Sequence, residues 1–247
     1  VPPAFSFNPD VLEDAFRQPG VKALILCNPS NPSGKVFTRE ELTIIADLAK
    51  KYDLYVITDE VYEHILYKPH EHVYMATLPG MRERTIICSS LSKTYSITGW
   101  RIGYVIASPD ITERVKKVHD FLTIGAAAPL MEAVVVGLNF GDEYYEELQQ
   151  HYTHMKELFC KGLRDIGLSF VEPQGAYYVM VDISEFGYGN DYDFAVDLAR
   201  KVGVGSVPGS SFFKEDVHDY VRFHFAKKDE TLKAALDRLA EIRNKMK

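Results

Sequence analysis

A lysine, Lys93, sits in the small-residue stretch Ser89-Ser90-Leu91-Ser92-Lys93-Thr94-Tyr95-Ser96, and Arg101 follows eight residues later beside Trp100, the only tryptophan in the chain. An amine shielded from water loses its proton more readily and becomes a nucleophile, while a guanidinium offers a planar fork of donors to an anion. Three other places carry residue types that can do chemistry. They are Asn31 within Asn28-Pro29-Ser30-Asn31-Pro32-Ser33-Gly34, Asp59 with Tyr62 in Asp59-Glu60-Val61-Tyr62, and Arg222 in Tyr220-Val221-Arg222-Phe223. Each has an ordinary reading taken alone. Lys93 could be a solvated surface lysine, Asp59 a helix cap, Arg101 a surface ion pair, Tyr62 a core-edge aromatic, and Arg222 the partner of an acid such as Glu215.

The elements that must hold these residues follow from apolar patterning. Asn8 or Asp10 can cap a short helix running through Phe16, which Pro19-Gly20 closes. Val21 to Cys27 is apolar apart from Lys22, as expected of a strand covered on both faces. It opens into the Asn-Pro turn, where two prolines and a glycine stop strand and helix alike. Thr38 and Glu41 form a capping box, and Leu42, Ile45, Ala46 and Ala49 then recur on one helical face. Leu54 to Thr58 predicts a strand ending at Asp59, and the strands Thr85 to Cys88 and Ile102 to Ala107 flank the lysine loop. Strand, helix, strand with polar signatures at strand carboxyl ends is the pattern of a parallel α/β sheet, whose ligands bind outside those ends.

His64, His70 and His72 fall in a polar excursion and read as solvated loop residues. Glu113 to His119 is amphipathic, and Ala126 to Phe140 is a small-residue helix expected to be buried. The long charged helical stretch Glu143 to Arg164 opens an α+β part. Its expected elements are the strand Gly175 to Val181, the helix Tyr192 to Val202, the tight loop Val207 to Phe212 and the strand Tyr220 to Phe225. A last helix is capped by Asp229 and carries Leu232, Leu236, Leu239 and Ile242. A domain boundary is expected near Asn139-Phe140-Gly141, giving residues 1–140 and 141–247.

Bulk properties narrow the function classes. With 247 residues, 46% hydrophobic and 26% charged, the chain has room for one large domain or two modest ones. A net charge of -7 and a pI near 5.6 give no basic footprint, so no nucleic-acid partner is expected. No apolar run is long enough to cross a bilayer, and no membrane partner or signal peptide is expected. There is no Cys-x-x-Cys or His-x-x-x-His spacing, so no metal site is expected. Cys27, Cys88 and Cys160 are odd in number and far apart, which fits reduced thiols and a cytoplasmic setting.

The Asn-Pro turn, Asp59-Glu60-Val61-Tyr62, Ser90 to Gly103, Gly175-Ala176-Tyr177-Tyr178 and Val221-Arg222-Phe223 occur in that order. Together they resemble the signatures of the class I/II aminotransferases, pyridoxal-phosphate enzymes of fold type I, and the resemblance covers essentially the whole chain. It implies an α/β fold: the mostly parallel sheet of the PLP-transferase large domain, incomplete at its N-terminus, and a smaller C-terminal α+β domain.

The resemblance also implies a role for each residue. Lys93 would form the Schiff base with pyridoxal 5'-phosphate and move the proton at the substrate α-carbon. Asp59 would face the pyridine nitrogen, where a carboxylate favours the protonated ring. Asn31 and Tyr62 would donate to the phenolic oxygen, Ser90 and Arg101 would hold the phosphate, and Asn31 and Arg222 would contact the substrate, Arg222 at its α-carboxylate. The implied reaction moves an amino group between an L-amino acid and a 2-oxo acid, in a homodimer when full-length. A carbon–sulfur β-lyase and a non-catalytic ligand-sensing domain of the same family type are the alternatives. Tyr95, Tyr177, Phe212 and Phe213 lean the substrate towards large apolar side chains. A further phosphate-binding helix N-terminus and a ring-stacking aromatic have no counterpart between Val1 and Leu26. The chain therefore resembles the C-terminal portion of a family member, with exposed sheet edges and apolar faces expected.

Overall fold

The structure, a computed structural model, describes residues 5–246. Helix α1 (Pro9–Arg17) starts at Asn8, whose side chain accepts the Asp10 N–H, and leads to strand β1 (Ala23–Cys27). Helix α2 (Arg39–Lys51) opens on the expected capping box, with the Thr38 hydroxyl accepting from Glu41 N–H and the Glu41 carboxylate accepting from Thr38 N–H. Strands β2 (Tyr55–Asp59) and β3 (Thr85–Ser90), the short helix α3 (Leu91–Thr94) and strand β4 (Gly103–Ile106) follow. The sheet runs β1-β2-β3-β4, with the first three strands parallel and β4 antiparallel to β3. Its mixed, mostly parallel character agrees with the pattern of strands and helices in the sequence.

Helices α4 (Pro109–Thr123), α5 (Ala128–Leu138) and α6 (Asp142–Ile166) precede a second layer of structure. Strand β5 (Tyr178–Asp182), helix α7 (Asp191–Asp197), strands β6 (Val207–Pro208) and β7 (Tyr220–His224), and helices α8 (Asp229–Leu239) and α9 (Ile242–Lys245) complete the chain. The second sheet is antiparallel in the order β5-β7-β6.

Two main cores result. Leu42, Ile45 and Ala49 of α2 pack against Leu26 and Val56 of the first sheet. Phe159 and Leu163 of α6, Val179 and Val181 of β5, Phe223 of β7 and Leu239 of α8 form the other. The second core also takes in Tyr62, Ile65 and Tyr67 from the segment after β2, so the Asp59–Tyr62 signature is built into both parts of the molecule.

Several sequence expectations need correction. Strand β1 is covered on only one face: Leu26 is buried while Ile25 is 75% exposed. Helix α5 buries only Val134 and Gly137 among its residues, and Val135, Val136 and Leu138 face outward. Phe121, Leu122 and Ile124 around the end of α4 are exposed as well. In each case the apolar side chain has no covering layer among the described residues, and apolar pattern alone cannot tell a covered face from one awaiting cover.

Strand β5 starts at Tyr178 rather than Gly175 because Ala176 is held at a positive φ of 56°, which a strand cannot accommodate. Asp229 does not cap the last helix. Lys228 occupies that position, and the Asp229 carboxylate accepts instead from His154 at 2.9 Å. Ile242 belongs to the separate α9. His72 is not solvated: its side chain is 5% exposed and its Nε2 lies 3.3 Å from the buried Glu60 carboxylate. His64 stacks on Tyr145 with ring centroids 4.6 Å apart.

The two parts meet at Gly34. Its carbonyl accepts the N–H groups of Gln174 and Gly175, its φ is +69°, and a Cβ there would lie 2.8 Å from the Cβ of Pro173. Only glycine meets both demands. Gly34→Ala is expected to cost about 1–3 kcal/mol of stability, read as a lower urea midpoint at unchanged slope. An unchanged midpoint would show that this contact does not carry the junction.

Candidate active site

The register of the first sheet fixes where the chemistry-bearing loops emerge. Cys27 lies opposite Asp59, and Asp59 opposite Cys88, so the parallel pairing of the three strands ends side by side, with β3 running two residues further. The Asn28–Gly34 turn, Asp59 and the Ser90–Thr94 loop therefore leave the sheet at one edge. Strand β4 runs the other way with Gly103 opposite Ser90, which brings Arg101 into the sheet at that same edge. Close pairing there depends on glycine, since a Cβ on Gly103 would sit 2.7 Å from the Ser89 carbonyl oxygen. The Asn-Pro turn is held from both sides. Asn28 N–H donates to the Asp59 carbonyl, and the Asn28 side-chain oxygen accepts the Phe37 N–H.

Arg222 reaches this edge from β7. Its guanidinium donates to the Asn31 side-chain oxygen at 2.5 Å and packs over two rings, 4.3 Å from the centroid of Tyr178 and 4.7 Å from that of Phe212. Glu215 does not pair with it, and among the described residues no carboxylate does. Tyr178 in turn exchanges a hydrogen bond with Tyr62, hydroxyl to hydroxyl at 2.9 Å. Burial, reinforced by the Tyr178 contact, pushes the Tyr62 phenol far up from its ordinary value. Tyr62 is therefore a neutral hydroxyl with a proton to donate.

Lys93 is half-buried on α3, its ammonium 5.9 Å from the Tyr177 ring centroid, and no acid among the described residues pairs with it. The Asp59 carboxylate is exposed and accepts only the Val61 N–H, at 3.3 Å. Arg101 adopts a left-handed backbone (φ 57°) and donates to the Thr98 carbonyl, again with no acid partner among the described residues. Ser90 is the most engaged of the set. It caps α3 by accepting the Ser92 N–H, and its hydroxyl lies within donating distance of the Ser92 hydroxyl and the Ile102 carbonyl. Two uncommitted cations, an exposed carboxylate and an arginine fork held by aromatic rings thus converge on one sheet edge. The arrangement suits an anionic, aromatic, amine-reactive group beside a carboxylate.

Comparison with known proteins agrees with that chemistry. The family profile described as Aminotransferase class I and II matches residues 1–239. The chain belongs to this family. A putative aminotransferase, YugH, of Bacillus subtilis (strain 168) is 37% identical over 91% of this chain and 57% of its own length. The kynurenine–oxoglutarate transaminase of Dictyostelium discoideum is 36% identical over 97% of this chain and 60% of its own. The solved N-succinyldiaminopimelate aminotransferase of Mycobacterium tuberculosis superposes with a TM-score of 0.93 at 34% identity, covering 97% of this chain and 63% of that one. The chain spans about three-fifths of the length of the curated relatives it matches. Family members depend on pyridoxal phosphate and act on amino and oxo acids.

Sequence reasoning missed several polar groups packed around the candidate site. Glu63 accepts from the Ser89, Tyr74 and Tyr104 hydroxyls and so ties the segment after β2 to β3 and β4. Glu60, Glu63 and His72 bring ligand atoms within 4.8 Å of one another, and the Glu63 carboxylate already accepts from three hydroxyls. The Glu60 position inside Asp59-Glu60-Val61-Tyr62 was the available signal, since a carboxylate next to an inward-facing tyrosine has to find a partner. Tyr178 as a stacking partner of Arg222 could have been read from the pairing of β5 with β7, which no local pattern reports.

The Tyr62–Tyr178 contact makes a measurable prediction. In a double-mutant cycle of Tyr62→Phe and Tyr178→Phe, the coupling energy is expected at about 0.5–1.5 kcal/mol by urea unfolding. Additive losses would show that the two hydroxyls do not act as a pair.

Proposed function

We propose that the protein of which this chain forms part is a pyridoxal-phosphate-dependent aminotransferase, moving an amino group between an L-amino acid and a 2-oxo acid. The observation that carries the reading is the shared sheet edge at which Lys93, Asp59, Arg101 and the Asn31–Arg222 pair meet, with neither Lys93 nor either arginine committed to an acid among the described residues. The residues present fit the cofactor. Lys93 is the amine that would hold it covalently, Asp59 the carboxylate for its pyridine nitrogen, and Tyr62 and Asn31 the neutral donors for its phenolic oxygen. Arg101 and Ser90 would take the phosphate, Ser90 turning its hydroxyl from the Ile102 carbonyl to do so. When bound, the cofactor supplies an electron sink for the bond broken at the substrate α-carbon.

The chain's own residues do the rest. Arg222 fixes the substrate carboxylate with a planar fork, and Asn31 keeps that fork aimed. Lys93, freed by substrate, carries the proton to and from the α-carbon. Tyr177 beneath the lysine, with Tyr95 and Phe212 nearby in the family's pocket, leans the substrate side chain towards aromatic or large apolar groups. Residues 1–140 form part of the cofactor-binding domain and residues 141–247 the smaller domain in this reading, supported by the two separate sheets. The exposed apolar face of β4, α4 and α5 supports an assembly in which more protein covers it, and a homodimer of the full-length protein is our reading of that assembly.

An assay with a nitrogen-15-labelled aromatic amino acid separates this reaction from its alternatives. The label is expected in a second amino acid only when a 2-oxo acid is supplied, and Lys93→Ala is expected to abolish transfer. Pyruvate and ammonia released from cystathionine without an acceptor would assign a β-lyase instead. Binding without turnover in the full-length protein would assign a sensing domain. Arg222→Lys, which keeps the charge and loses the planar two-donor fork, is expected to raise KM for the carboxylate substrate about 10-fold, the scale of one lost hydrogen bond to a charged group. An unchanged KM would remove Arg222 from the site.

A further inference from the structure

Asp191, the first residue of α7, is wholly buried. A carboxylate is rarely buried unless donors converge on it, and here they do. Ser210 donates its backbone N–H at 2.7 Å and its hydroxyl at 2.9 Å, and His218 donates from Nδ1 at 3.1 Å. The other ring nitrogen of His218 lies 2.8 Å from the Asp216 carboxylate, and the two carboxylates together raise the affinity of the ring for its proton. Burial alone would push the Asp191 carboxyl up, but the Ser210 and His218 donors outweigh it and leave it below its ordinary value.

Every one of these donors belongs to the segment between β6 and β7. Its start is locked a second way, because a Cβ on Gly209 would meet the Tyr220 carbonyl oxygen at 2.6 Å. Two residues beyond Ser210 comes Phe212, whose ring centroid lies 4.7 Å from the Arg222 guanidinium carbon, with that of Tyr178 at 4.3 Å. Packing against rings orients a guanidinium without using its N–H donors, so those not given to Asn31 stay free for a carboxylate.

We propose that Asp191 is a positioning residue for the substrate-carboxylate site: through Ser210 it sets Phe212, and Phe212 with Tyr178 sets the plane of Arg222. The proposal rests on the reading of Arg222 given above. It assigns a role in the site to a carboxylate on a different helix, with no contact of its own to Arg222 among the described residues.

The test reads Arg222 directly, by the nuclear magnetic resonance signal of its Nε–H, assigned by its loss in Arg222→Lys. Two rings stacked on the guanidinium shift that signal upfield. Asp191→Ala is expected to remove most of the shift, Ser210→Ala to remove part of it, and Ser210→Thr, which keeps the hydroxyl, to restore it. Titration with 3-phenylpropionate, a carboxylate with an apolar tail, is expected to show about tenfold weaker binding in Asp191→Ala, the scale of one well-placed hydrogen bond. An unmoved Arg222 signal in Asp191→Ala overturns the proposal. If that variant does not fold, an unmoved signal in Ser210→Ala does so. A signal that moves as expected in a chain indifferent to 3-phenylpropionate leaves the positioning of Arg222 by Asp191 standing and removes only the carboxylate reading.

Discussion

The in-register ending of β1, β2 and β3 is the constraint on which the site depends. Side-chain direction alternates along a strand, so a slip of one residue would turn Asp59 to the other face of the sheet. It would also carry the Asn31 and Lys93 loops out of line with it. The backbone ladder continues one step beyond the strands, from Asn28 N–H to the Asp59 carbonyl and from Glu60 N–H to the Cys88 carbonyl. The alignment is thus held at the edge where the chemistry lies. Core packing beneath it, Leu26 and Val56 against α2, gives that register its energetic preference.

The second sheet is joined to this edge by polar contacts as well as by the apolar packing of Tyr62, Ile65 and Tyr67. Gly34 receives the backbone before β5, Gln174 caps the Val36 N–H with its side chain, and Arg222 reaches across to Asn31. The Tyr62–Tyr178–Arg222 succession links a residue next to Asp59 with one beside the proposed carboxylate site. A substrate bound at Arg222 would be oriented relative to Asp59 and Lys93 by the same contacts that hold the two sheets together. Orientation of that kind is where much of the rate enhancement of a cofactor enzyme originates.

Local chemistry made much of this legible. The Asn-Pro turn, the Thr38–Glu41 capping box and the polar ends of the apolar runs each state their structure within a few residues, and the structure agrees with them. The family signatures follow from the same short-range constraints. What stayed hidden is non-local. His72 reads as a loop histidine until Glu60 is seen facing it, and nothing local to Asp191 announces the Ser210 and His218 donors that fold over it. Helix α5 and the outer residue of β1 carry core-like patterns with no covering layer among the described residues. Their apolarity records a need for cover without saying which segment supplies it.

Lys93 carries the account, and covalent trapping tests it most directly. The chain is mixed with pyridoxal phosphate, reduced with borohydride and digested, and the modified peptide is identified by mass spectrometry. The account predicts a single dominant pyridoxyl adduct on Lys93, lost in Lys93→Ala and weakened in Arg101→Ala. Modification spread over surface lysines, with Lys93 no more labelled than Lys116 or Lys161, would contradict it.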